Sequence, residues 1–204
     1  MSIPSDIQCY RMMSKMAMLD NIVAHSIRVC QVATLLTVHL SSNGSSLNPA
    51  LIRAAALLHD ITKTRSLQTC ENHARTGALY LGDRGYPEVS EIVAQHVNLD
   101  RLNPDGEPTA AEIVNYADKR VLHDKVVSLD ERLAYIKKRY SCSAGELGNR
   151  VERMCREVDT LEKKLFKTLP FSAAELSDQL DPDEFEIEVT KFRKMNADHT
   201  KSVT

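Results

Sequence analysis

Four times along this chain a serine or threonine is followed three residues later by glutamate: Thr109 with Glu112, Ser128 with Glu131, Ser143 with Glu146, and Ser172 with Glu175. In each pair the two side chains can satisfy one another's orphan backbone donors, which is how a helix begins. Asn48-Pro49 is a further start signal, with asparagine as cap and proline at the first helical position. Turn formers break the chain at SSNGSS (41–46), DRGYP (83–87) and NPDGEP (103–108). Start and stop signals at this density predict an all-α fold of many short to medium helices. One segment, FEIEV (185–189), alternates with the period of a strand. Phe185, Val189 and Phe192 also make a helical stripe, and an isolated strand would leave its backbone unpaired, so helix is favoured there.

The chain has 204 residues, 43% of them hydrophobic, enough for one compact domain or a domain with an appendage. A formal charge of -2, with basic and acidic residues interspersed, argues against nucleic-acid or anionic-membrane binding and for a small ligand. The methionine-rich start is interrupted by Asp6, Arg11 and Lys15 and lacks the apolar core of a signal peptide. No later segment approaches the roughly 18 apolar residues of a membrane span. Five cysteines without a C-x-x-C pair fit reduced thiols, and the expected location is cytoplasmic.

Against this background the stretch AALLHDITK, residues 55–63, is anomalous, because an apolar helix runs directly into His59 and Asp60. His25 lies on the Ile22, Val29, Val32 and Leu36 stripe of a helix predicted from Asn21 to about Leu40. Asp118 falls between Val114 and Val121. His96 continues the face of Val89, Ile92 and Val93, and His73 aligns with Gly77 and Leu81, where the glycine permits close approach. A buried carboxylate is costly unless it is paired or coordinated. The set becomes favourable when His25, His59, Asp60 and Asp118, together with His73 and His96, converge on divalent cations, which neutralise the acids and accept neutral imidazole. Packed helices are a suitable frame for such a site.

The order His25, then His59-Asp60 after an apolar run, then Asp118 in EIVNYADKRV resembles the HD-domain superfamily of metal-dependent phosphohydrolases, over roughly residues 20–125. LLHDITK is similar to that superfamily's LLHDIGK segment, with Thr62 where glycine is usual. His73 and His96 match the extra histidines of bimetallic branches, although Val97 stands where those branches carry a second adjacent histidine. The resemblance implies a compact helical HD domain over residues 1–126, a helical extension over 127–204, and one or two divalent ions (Mn, Fe, Co, Ni, Zn or Mg). It also implies hydrolysis of a phosphoester or phosphoanhydride, with a small phosphorylated substrate, a nucleotide or a related compound, attacked by hydroxide formed from metal-bound water. Asp60 would bridge two ions, with His25, His59 and Asp118 completing the first and His73 and His96 the second. Lys63 would meet a phosphate, and Arg28, Lys119 and Arg120 are further anion-binding candidates.

In the extension, Leu147, Val151, Met154, Val158, Leu161 and Leu165 form a narrow seam at spacings of four and three. It reads either as a dimerisation or regulatory hairpin, giving a homodimer, or as a long helix packed on its own domain. His123-Asp124 reads as polar residues capping the C-terminus of the Asp118 helix. His39, roughly four helical turns from His25, and His199 in a polar tail are not expected to be ligands. Two alternatives to hydrolysis stay open: a non-catalytic metal or nucleotide sensor, and a di-iron oxygenase built on the same six-ligand pattern.

Overall fold

The structure is a computed structural model that describes residues 2–140 and 146–201, with side chains for 2–138 and 151–196. The Ser143–Glu146 capping pair, Cys142, and the side chains of Leu147 and His199 lie outside the described residues. Ten α-helices are described: α1 (Asp6–Lys15), α2 (Asp20–Ser42), α3 (Pro49–Leu58), α4 (Lys63–Thr69), α5 (His73–Gly82), α6 (Pro87–Ala94), α7 (Ala110–Lys119), α8 (Leu129–Tyr140), α9 (Glu146–Phe166) and α10 (Pro182–Lys201). The all-α expectation holds, with one small addition. Strands β1 (Val121–Leu122) and β2 (Lys125–Val126) pair antiparallel between α7 and α8.

The capping patterns act largely as predicted. Thr109 accepts from the Glu112 backbone while the Glu112 carboxylate accepts from that of Thr109, opening α7. Ser128 and Glu131 do the same at α8, and Asn48 accepts from Leu51 to start α3. The Ser172–Glu175 pair instead opens a 3-10 helix over Ala173–Gln179. A pair missing from the sequence reading, Ser5 with Gln8, starts α1. FEIEV is helical, inside α10.

Helix α2 runs through the centre, packed on α3, α7 and α10, while α3 also contacts α1, α6 and α7. Ala54, Ala55 and Ala56 are all buried, and their small side chains let α2 and α3 approach closely. By length and composition α2 would pass for a membrane span, contrary to the expectation that no segment does, yet 67% of its most apolar stretch is buried inside the protein. It is the core helix here.

The extension shares that core. Val158, Leu161 and Leu165 of the α9 seam are buried against the chain's own interior, together with Phe171, Leu176, Phe185, Val189 and Phe192. Two polar locks fasten α9 to α7. Lys164 donates to both oxygens of Glu112 at 2.7 Å, so one glutamate both caps α7 and docks α9. Glu162 accepts from Tyr116 (2.5 Å) and from Arg120 (3.2 Å).

Candidate metal centre

The six predicted residues come from five helices or their ends, and three of the imidazoles are set by one device. A helix leaves its last carbonyls without intrahelical partners. His59, just past α3, donates from Nδ1 to the Ala56 carbonyl at 2.8 Å, and His96, two residues past α6, donates from Nδ1 to that of Val93, also at 2.8 Å. His25, inside α2, donates from Nδ1 to the His123 carbonyl at 2.8 Å, in the turn of the β1–β2 hairpin. A carbonyl only accepts, so each Nδ1 holds the proton and, in the neutral ring, each Nε2 presents a lone pair.

Those Nε2 atoms converge on two carboxylates. Asp118 Oδ1 lies 3.1 Å from His25 Nε2 and 3.7 Å from His59 Nε2. Asp60 turns Oδ2 toward His59 Nε2 (3.6 Å) and Oδ1 toward His73 and His96 (3.2 and 3.5 Å). The outcome is two three-donor groups, His25-His59-Asp118 and Asp60-His73-His96, with donor atoms inside each group all within 4.8 Å of one another. Asp60 faces both. His59 Nε2 and Asp60 Oδ1 are buried without a hydrogen-bond partner.

Lone-pair nitrogens aimed at carboxylate oxygens repel unless a proton or a cation stands between them. Burial drives the His59 pKa down to about 4 and also lowers that of His73, so both are neutral near pH 7, the form that ligates metal. His25 is different: burial pulls its pKa down, but the contact with Asp118 outweighs this and raises it. Burial pushes both carboxyls up, yet Asp60 is held well below the usual range by His59, His73, His96 and Lys63, and Asp118 by Lys119, His25 and Arg132. Two buried carboxylates, the neutral imidazoles of His59 and His73, the Nδ1-anchored rings of His25, His59 and His96, and two orphaned donor atoms fit divalent cations.

A family model described as HD domain matches residues 22–121, a span that contains all six donors. Residues 22–121 are an HD domain. The chain is also similar to an uncharacterized protein of Methanocaldococcus jannaschii, with 26% identity over 133 residues that cover 59% of this chain and 78% of that protein. No solved structure matches. HD domains bind divalent metals, and the family is generally one of metal-dependent hydrolases, in accord with the donor chemistry above.

Around the HD domain's donors the cationic residues divide by what they touch. Lys63 stands at the edge of the centre, its Nζ 3.2 Å from His73 Nε2 and 3.9 Å from Asp60 Oδ1, with a third of its side chain exposed. Lys119 borders the same cavity, but its Nζ is engaged by Asp118 Oδ2 (2.8 Å) and the His96 carbonyl (3.0 Å), tying a ligand of one group to the backbone of a ligand of the other. Arg28 does not line the cavity. Its Nε donates to the Asp124 carbonyl at 2.9 Å, its Nη1 to Gln31, and its guanidinium lies over the Phe185 ring, so it holds the hairpin and α10 rather than presenting itself to an anion. Arg120 is likewise consumed by Tyr116, Glu162 and the carbonyls of Val127 and Ala173.

One further reading changes. His123-Asp124 is not a helix C-cap: α7 ends at Lys119, and the pair forms the hairpin turn, with His123 left-handed at φ 58°. The backbone of that turn fixes His25. Thr62, at the usual glycine position, is buried and donates to the His73 carbonyl at 2.9 Å, fixing the start of α5. Gly77 permits the close approach predicted for it, since a Cβ there would meet Ile61 Cγ2 at 3.2 Å and Val93 Cγ1 at 3.4 Å.

The donors open into a cavity of about 510 Å³. One wall was invisible in the sequence. Arg132, Tyr135 and Ile136 of α8 and Met154 of α9 line it, from beyond the matched segment. Only Met154 carried a signal, as a member of the apolar seam.

Proposed function

We propose that this chain hydrolyses a phosphoester or phosphoanhydride bond in a nucleotide or related small phosphate compound. The observation that carries the reading is the pair of three-donor groups, with Asp60 a member of one and its other carboxylate oxygen turned to His59 of the other. His25, His59 and Asp118 would hold one divalent cation, and Asp60, His73 and His96 the other. Bound there, such ions would polarise phosphoryl oxygens and lower the pKa of coordinated water from about 15.7 towards 7.

The chain's own residues supply positioning. The Nδ1 bonds of His25, His59 and His96 fix each ring's tautomer and angle, and Lys119 holds Asp118 through Oδ2, the oxygen not turned to His25 and His59. Lys63, beside His73 and partly exposed, would receive a phosphoryl oxygen as a point charge. Mixed imidazole and carboxylate donors suit Mn, Fe, Co, Ni or Zn better than Ca, with Mg accommodated through additional waters. The free thiols of Cys9, Cys30, Cys70 and Cys155 support a reducing, cytoplasmic setting.

The test pairs metal analysis with a substrate screen. Purified protein is expected to carry divalent metal that His59→Ala and Asp60→Ala lose, and stoichiometric metal persisting in both variants would overturn the centre. Of phosphomonoesters, diesters and dinucleoside polyphosphates assayed with several metals, at least one class is expected to be hydrolysed, giving phosphate, a monoester or nucleotides respectively. Oxygen uptake dependent on Fe(II), without hydrolysis of any of them, would replace the reading with an oxygenase.

A further inference from the structure

Helix α8 lies outside the matched HD segment, yet it brings a guanidinium to the centre. Arg132 Nη2 is 3.9 Å from Asp118 Oδ1, the oxygen that faces His25 and His59. That distance is beyond a hydrogen bond. Asp118 needs no second clamp, because Lys119 already holds Oδ2 at 2.8 Å. Arg132 Nε is buried with no hydrogen-bond partner. A guanidinium keeps its charge and carries five donors in a rigid fork that matches phosphate oxygens, so an unmet buried donor bordering a cavity is chemically an oxyanion receptor.

Its neighbours describe the rest of the ligand. Tyr135, one turn along α8, stands beside the Arg132 guanidinium and packs edge-on against the His123 ring at 5.9 Å. Ile136 and Met154 continue the same wall, giving an aromatic and apolar surface next to the cation. Lys63 lies by the other donor group, while Arg132 joins Lys119 at the Asp118 end, so both groups border a cation that lines the cavity.

We infer that Arg132 is a substrate-binding residue that takes a phosphoryl oxygen at the Asp118 end of the centre, while Tyr135, Ile136 and Met154 receive the organic group attached to that phosphate. The inference rests on the phosphohydrolase reading and narrows it. The substrate class is an organic phosphate with an aromatic or apolar body, rather than inorganic pyrophosphate or polyphosphate.

Titration calorimetry on the full chain loaded with Mn(II), using inorganic phosphate and the non-hydrolysable phenylphosphonate, tests this without turnover. Phenylphosphonate is expected to bind more tightly than phosphate. Arg132→Ala should weaken both by about tenfold or more, the loss of one charge-assisted contact, with metal content unchanged and Arg132→Lys recovering part. Met154→Ser should weaken phenylphosphonate alone. Wild-type affinity for both anions in Arg132→Ala, or loss of metal from that variant, overturns the assignment and leaves the phosphohydrolase reading standing. Metal-loaded wild type that binds neither anion overturns both.

Discussion

Lys119→Met separates a lysine that contacts substrate from one that positions a ligand. Methionine keeps the length and the apolar stem but deletes an ammonium on a residue only 3% exposed. The His96 carbonyl loses little, because Asn115 Nδ2 still donates to it at 3.0 Å. Asp118 Oδ2 loses its 2.8 Å partner. Breaking a buried ion pair from one side costs about 3–5 kcal/mol, which for a chain of this size lowers the melting temperature by roughly 6–20 °C. Divalent metal counters the Asp118 charge from the opposite side, so the deficit should shrink when metal is added. Metal affinity itself should fall about 10–100-fold, the usual loss when a ligand's supporting contact is removed. Thermal melts with and without metal, and a competition titration against a chromophoric chelator, measure the two effects. A variant that melts like wild type without metal and binds metal normally, but shows a raised KM for phosphorylated substrate, would refute the positioning role and restore the substrate contact.

Three other outcomes are expected. Glu162→Ala removes the carboxylate that meets Tyr116 and Arg120 and leaves the buried Arg120 guanidinium hydrogen-bonded but without its counter-charge; with Glu162 partly exposed the loss should be about 3 kcal/mol, and an unchanged urea midpoint would show that α9 is not anchored there. The Glu188 carboxyl is pushed up by burial but held below its ordinary 4.5 by Lys191, Tyr10 and Arg53. Its contribution is therefore present above that value and lost as pH falls through the folded one. Wild type and Glu188→Gln should differ at neutral pH and converge in acid, whereas a pH-independent gap would remove the linkage. Gly77→Val drives a side chain into Ile61 and Val93, costing about 1–3 kcal/mol and shifting α5; metal binding at the His73 group should weaken before that at the His25 group, and equal weakening in a stepwise metal titration would contradict the geometry.

Much of this protein was legible because its signals are local. Caps are four-residue patterns, so Thr109–Glu112 and Ser128–Glu131 marked helix starts without reference to anything distant. His25 and Asp118 were recognisable because each sits in line with apolar neighbours, and polar groups on a buried face need a partner. Other features were too short or too distant to read. The hairpin has two residues per strand, below the length at which alternation is visible, so His123-Asp124 has the local pattern of a helix end. Helix α6 stops at Ala94, so His96 reaches the centre from the bend after it, held by the Val93 carbonyl in the helix's last turn.

By itself the sequence determined an all-α domain and picked out the six residues that gather at the candidate metal centre, since both follow from spacing along a helix and from the cost of burying charge. Tertiary structure alone decided how the basic residues divide. Arg28, Lys119, Arg120 and Arg132 carry the same charge and differ only in what lies within a few ångströms: a hairpin carbonyl, a ligand carboxylate, a glutamate on α9, or an open cavity. Apart from Asp118, which adjoins Lys119, those neighbours come from distant segments, 96 residues away for Arg28 and 42 for Arg120, and the reach of a long side chain across a packed interface leaves no trace in its local spacing.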